Sequence, residues 1–218
     1  MAYAVPMPEE AVKRAPGRPR NPAKRAALLS AARALFLERG SAAVTLDQVL
    51  ARAGVSRATL YSNFGDKGEL LAAVIAAEAD RFLAGEWAQH TFDQPIEPTL
   101  IRFGDRLLAF IAEADTFAFE RLIAQAALAD PEHGTRFFAA GPGRAHGILV
   151  AIIRAAQDRL ELEQCDAEQA ANDLFGLWQG MWRLEVQYGQ RAGANRAELD
   201  RLARHGVRQF LRLYAARE

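Results

Sequence analysis

Half of the 218 residues are hydrophobic and a quarter are charged, a composition that excludes an intrinsically disordered chain and allows one large domain or two modest ones. The 27 Lys+Arg and 27 Asp+Glu cancel overall but not locally: residues 1–67 carry 11 basic against 5 acidic side chains and the remainder 16 against 22, so a polyanionic partner is expected at one end only. The single cysteine, Cys165, excludes a disulfide framework within one chain, and its acidic neighbours Glu163 and Asp166 are expected to keep its thiol protonated. The start of the chain has no apolar signal core and no apolar run approaches the length of a membrane span, so the expectation is a cytoplasmic protein without membrane contact.

In chain order, residues 1–21 read as a flexible basic arm, with prolines at 6, 8, 16 and 19. From Ala11 to Leu37 seven basic side chains stand without an acid, which suits either a solvated tail or a phosphate-binding arm. Gly17-Arg18-Pro19-Arg20 is similar to the clamps that lay arginines into a narrow minor groove, which makes Arg18 and Arg20 DNA-binding candidates. A first helix is expected over Pro22–Arg39, capped by Asn21, with Leu28, Leu29, Ala32, Leu35 and Phe36 on one stripe and Gly40 ending it.

Thr45 caps a short helix whose apolar positions are Leu46, Val49, Leu50 and Ala53; Gly54 ends it, and Ser56 caps another that begins at Arg57. Two short helices joined by a tight glycine-containing turn make a helix-turn-helix. Leu60 and Phe64 face inward with Val55, leaving Arg57, Ala58, Thr59, Tyr61, Ser62 and Asn63 outward, where arginine, asparagine and hydroxyl groups can meet base edges or phosphates.

The run TLDQVLARAGVSRATLYSNFGDK, Thr45 to Lys67, resembles the DNA-binding signature of the TetR/AcrR transcriptional regulators, matching at Thr45, Ala53, Gly54, Val55, Ser56, Thr59, Tyr61, Phe64 and Lys67. Leu50 departs from it, standing where the family usually has alanine, which predicts a slightly wider crossing of the two helices. The resemblance implies Arg57 and Thr59 for base readout, and Tyr61 and Lys67, with the start of the helix that Lys67 opens, for phosphate positioning.

That fourth helix runs through Leu70, Leu71, Val74 and Ile75 toward Phe82, and Ala84 to Pro98 breaks the pattern as a loop. Helices are then expected over Thr99–Ala114, Phe117–Ala129, from Pro131, and after the break at Gly141-Pro142-Gly143. Phe137 to Ala156, FFAAGPGRAHGILVAIIRAA, resembles the ligand-domain segment of one TetR subgroup. A capping-box-like Asp166 and Gln169 start a long helix to Tyr188, with Ala171, Leu174, Phe175, Trp178, Met181 and Trp182 as its stripe, and a last helix runs over Arg196–Arg217.

No strand pattern occurs, so the expected fold is all-α, about nine or ten helices: a helix-turn-helix head over 22–67 and a ligand-binding and dimerisation domain over 68–218. More apolar surface on the last two helices than one core needs suggests a four-helix bundle between two chains, built from Leu174, Gly176, Leu177, Gly180, Leu184, Leu202, Phe210 and Leu211. Phe103, Phe110, Phe137, Trp178 and Trp182 are candidate walls of a ligand cavity, with His146 as a polar anchor. All four serines lie in the head, and the four histidines are scattered without metal-ligand spacing, so neither an enzyme nor a cofactor or metal is expected. The reading is a homodimeric regulator, a repressor by default, that binds double-stranded operator DNA and is released by a small-molecule effector. The alternative is a helical ligand-binding or interaction protein without sequence-specific DNA binding.

Overall fold

The computed structural model describes residues 21–84, 87 and 92–216; the arm, and with it Arg18 and Arg20, lies outside the described residues, as do Gly85, His90 and Thr91 of the expected loop. Among the described residues ten helices follow one another: α1 (Pro22–Arg39), α2 (Leu46–Ala53), α3 (Arg57–Asn63), α4 (Lys67–Leu83), α5 (Ile96–Ile111), α6 (Ala114–Ala129), α7 (Pro131–Ala140), α8 (Pro142–Asp158), α9 (Ala167–Gln187) and α10 (Arg196–Tyr214). The described residues contain no strand, only an isolated bridge between Leu162 and Ala215.

The first four helices begin and end on the residues that the sequence marks. Asn21 Oδ1 accepts from the Ala23 and Lys24 amides, and Thr45 and Gln48 close a reciprocal capping box at the start of α2. Gly54 takes the left-handed conformation (φ 64, ψ 34) that ends α2, and Ser56 Oγ accepts from the Thr59 amide to start α3.

Later boundaries differ from expectation. α5 begins at Ile96 rather than Thr99, because Pro98 falls in its first turn, where a missing amide hydrogen costs nothing; it ends at Ile111, and α6 then starts three residues early, at Ala114. α10 stops at Tyr214, since its end turns into a pairing with the segment after α8: Glu163 N donates to Tyr214 O (2.9 Å) and Ala216 N to Glu161 O (3.2 Å). Only half a capping box forms at Asp166, whose Oδ1 accepts from the Glu168 and Gln169 amides while the Gln169 side chain donates to Asp173 instead. α9 is interrupted at Gly180 (φ 46, ψ −157), a conformation that glycine alone adopts readily. Met181, expected on the inward stripe, is 67 % exposed; the buried row of α9 runs Leu174, Trp178, Trp182 in steps of four.

Two cores result. One holds α1–α3, the first half of α4 (Leu70, Leu71, Val74, Ile75), and Phe119 and Phe137 reaching in from α6 and α7. The other gathers Phe82 and Leu83 with α5, α8, α9 and α10. The division between cores therefore falls within α4, which belongs to both.

Trp178 centres the second core. It is fully buried, its indole donates to Ala203 O (3.2 Å), and it lies between two glycines of neighbouring helices, where a Cβ would come within 2.6 Å of its ring at Gly104 and 2.5 Å at Gly206. Gly104→Ala and Gly206→Ala are each expected to lower stability by about 1–3 kcal/mol through overpacking, read as a reduced urea midpoint. An unchanged midpoint would show that the indole can shift aside.

Candidate nucleic-acid interface and ligand cavity

The helix α3 and the start of α4 present the surface expected from the sequence, with two exceptions. Arg57, Ala58, Tyr61 and Ser62 are exposed, and Tyr61 is 54 % exposed although α3 buries Leu60 and packs on Phe64. The Arg57 guanidinium is not free: it is ion-paired with Asp47 of α2 at 2.5 Å, both side chains lying in solvent. The Thr59 and Ser56 hydroxyls bond each other at 2.9 Å, and Ser62 Oγ donates to Thr59 O. Asn63, expected to face outward, instead turns its amide back onto Thr59 O (2.7 Å) and buries its Oδ1 with no partner among the described residues. It closes the last turn of α3.

Lys67 is the second exception. Its ammonium donates to Ser41 O (3.0 Å), Ala42 O (3.5 Å) and Val44 O (3.2 Å), so its hydrogens are spent holding the α1–α2 connection against α4 rather than directed at a phosphate. The start of α4 is occupied as well: Asp66 Oδ1 accepts from the Glu69 amide and Glu69 Oε2 from the Gly65 amide. Two carboxylates at a helix N-terminus satisfy its dipole and repel a further anion, so the phosphate role expected there is not what the local chemistry supports.

Between the two cores lies a cavity of about 250 Å³. Ile75, Glu78 and Ala79 of α4 line it with Leu107, Phe110 and Ile111 of α5, Thr116, Phe119, Glu120 and Ile123 of α6, Ala145 of α8, and Phe175, Gln179 and Arg183 of α9. Of the expected walls only Phe110 is present. Phe103 and Trp178 are fully buried in the second core, where they stack at 6.1 Å between ring centroids, and Trp182 is tied to Trp178 O through its indole. Phe137 belongs to the head core, under the His133 ring. His146 bonds Asn172 at 3.0 Å and rests on Phe175 outside the cavity. The residues missed carry a signal in retrospect: Glu78, Glu120 and Arg183 are charges set within apolar helical stretches.

Those charges are paired. Arg183 meets the Glu120 carboxylate, donates to Ile111 O (3.0 Å) and lies over the Phe117 ring (4.6 Å). Enclosure by protein pushes the Glu120 pKa up by more than the facing guanidinium lowers it. Glu78 accepts from Arg33 (2.7 Å) and Arg81 (3.0 Å). Arg33, on α1 of the head, also reaches Asp115 of α6 (2.9 Å) and lies over the Phe119 ring at 5.7 Å. Two cavity-lining residues, Glu78 and Phe119, thus hold a head residue directly. Cys165 is remote from this site, and its thiol pKa is raised chiefly by burial and further by Asp166, the direction its sequence neighbours imply.

The family model for bacterial regulatory proteins of the tetR family matches residues 28–74, and the C-terminal-domain model of AefR-like transcriptional repressors matches residues 98–216, over half of the chain. The chain belongs to the TetR family. It is similar to the HTH-type transcriptional regulator YdeS of Bacillus subtilis, 29% identical over 164 residues that make up 73% of this chain and 78% of that protein. Among solved structures it shares the fold of a TetR-family regulator from Mesorhizobium loti (TM-score 0.76, 24% identity, covering 88% of this chain and 97% of that one). The flavonoid-responsive regulator FrrA is similarly close (TM-score 0.73, 27% identity, 91% and 100%). As a TetR-family protein, the chain is a transcriptional regulator with a helix-turn-helix and a ligand-binding C-terminal domain.

TetR-family regulators bind DNA and small-molecule effectors, typically as dimers, and the last two helices show which of the expected interface residues are accessible for that. Leu174 and Phe210 are fully buried inside the chain's own core and so are withdrawn from the interface set. Gly176, Gly180 and Leu184 lie exposed in steps of four on α9, Leu177, Leu202 and Leu211 are half-buried, and the exposed Met181, Tyr188 and Leu213 extend the apolar surface. No helix among the described residues is long and apolar enough to cross a membrane.

Replacing the Lys67 ammonium leaves three backbone carbonyls without their donor. Lys67→Met is expected to destabilise the protein by about 1–3 kcal/mol in urea unfolding, a loss that an outward, phosphate-directed lysine would not produce.

Proposed function

We propose that the chain is a repressor that binds a palindromic operator as a homodimer and leaves it when a small, largely apolar effector fills the cavity between α4, α5, α6, α8 and α9. The observation that carries this reading is that Glu78 and Phe119 line the cavity and also hold Arg33 of the head. Repression is supported by the match to the C-terminal domain of AefR-like repressors, and an aromatic effector by the Phe110, Phe119 and Phe175 walls and by the flavonoid response for which FrrA is named. In this reading the α3 helices of a dimer enter successive major grooves about 34 Å apart. Arg57 leaves Asp47 to read a base, Ala58, Thr59 and Ser62 face base edges, and Tyr61, Thr45 and Ser56 position the sugar-phosphate backbone, while Arg18 and Arg20 follow the minor groove.

Selection of bound sequences from random duplex DNA tests the proposal. A palindromic winner that outcompetes random DNA at moderate salt supports it, whereas binding without sequence preference that disappears as salt rises favours a helical ligand-binding protein whose arm alone touches DNA. On the selected operator, Arg57→Ala should cost about 1–3 kcal/mol and relax preference at one position in each half-site, measured by competition with single-base variants. For the dimer, Met181→Asp combined with Leu184→Asp should give a folded monomer by sedimentation analysis, because charges at the centre of an apolar interface lose their hydration without gaining partners.

A further inference from the structure

The effector cavity proposed above contains two kinds of polar side chain, and the difference between them specifies its ligand. The charged ones are committed: Arg183 to Glu120 and to Ile111 O, and Glu78 to Arg33 and Arg81. The neutral ones are not. Thr116 is 7 % exposed, yet its hydroxyl has no hydrogen-bond partner among the described residues, and the Gln179 amide, on the facing helix α9, has none either. Both side chains line the cavity. Phenyl rings from three different helices, Phe110, Phe119 and Phe175, make up the aromatic part of the wall.

An ion entering this cavity would lose its water and meet no unpaired counter-charge; it would have to take Arg183 from Glu120, or Glu78 from its two arginines, leaving the displaced partner stranded. A neutral molecule carries no such penalty. A hydroxyl or carbonyl on it can pair with Thr116, which both donates and accepts, and with Gln179, whose amide does the same. We infer that this cavity takes an uncharged aromatic compound bearing a hydroxyl or carbonyl group, with Thr116 and Gln179 as the residues that recognise that group. The inference rests on the effector-site reading of the cavity and adds the charge state and the recognising pair.

Calorimetric titration of the full-length protein at neutral pH with three probes on one ring system tests it: 2-naphthol, naphthalene-2-carboxylate and naphthalen-2-ylmethylammonium. 2-Naphthol should bind, and both ions more weakly by over about tenfold. Thr116→Val and Gln179→Leu should each weaken 2-naphthol about three- to tenfold, and Thr116→Ser should restore most of the affinity, which a packing role for the threonine methyl would not. Circular dichroism and the thermal midpoint establish that each variant is folded. An ion that binds as tightly as 2-naphthol, absence of binding by 2-naphthol, or indifference of 2-naphthol to both substitutions would each overturn the inference. Ile123→Trp, which fills the cavity from α6, separates the two levels of the argument. If ion binding is tight and Ile123→Trp abolishes it, the cavity is the site and only the ligand class is wrong; if Ile123→Trp leaves 2-naphthol binding unchanged, the cavity is not the site.

Discussion

The Arg33 guanidinium has three claimants: the carboxylates of Glu78 and Asp115 and the face of the Phe119 ring. They come from α4 and α6, while Arg33 itself belongs to α1 in the head. The head is therefore joined to the larger domain not only by the continuous α4 but also across a planar, multiply bonded contact, which resists rotation better than a single pair because each donor has its own acceptor. Glu78 is fixed in turn by Arg81, which reaches Glu113 at 2.8 Å next to the start of α6. The network runs from α1 through α4 to the α5–α6 junction, along one side of the cavity.

Much of the head could be read from the sequence because its signals are local. Asn21, Thr45 and Ser56 each cap the backbone within three residues through a side-chain oxygen, and Gly54, lacking a side chain, takes the left-handed turn that ends α2. The errors there concern side chains with two plausible destinations. Lys67 and Asn63 could point outward to a nucleic acid or inward to backbone carbonyls, and nothing in a linear spacing states that Ser41, Ala42 and Val44 leave carbonyls unpaired 23 to 26 residues earlier. The shift of α5 has a similar origin: Pro98 reads as a breaker, but its effect depends on whether it falls before a helix or inside its first turn.

In the larger domain, helical periodicity located the elements but not their partners. Aromatic residues on an inward stripe are suited equally to core and to cavity wall, and Phe103, Phe137, Trp178 and Trp182 proved to be core. Trp178 shows why: Gly104 and Gly206 stand 74 and 28 residues away from it, and only the packing of α5 and α10 on α9 reveals that they make room for its indole. Leu174 and Phe210 follow the same rule, fully buried on helices that expose Leu184 and Leu213 elsewhere along their length. The charged residues Glu78, Glu120 and Arg183, which the sequence reading passed over, mark the cavity better than the aromatics do, since a carboxylate or guanidinium sits on an apolar stripe only when it is paired or when it borders a space.

The strength of the Arg33 contacts suits a switch better than a rivet. Each is partly open to solvent, and such pairs contribute about 0.2–1 kcal/mol apiece, with the arginine over the Phe119 ring adding about 0.5–1. Together they approach the coupling of about 1–3 kcal/mol that separates a bound from a released state in typical allosteric proteins. A stronger, fully buried latch would hold the head whether or not the cavity were filled. In the proposed switch a ligand pressing on Phe119 and Glu78 acts on these contacts first, and because Phe119 also belongs to the head core, the displacement passes from the cavity wall directly into the packing of α6 against α1.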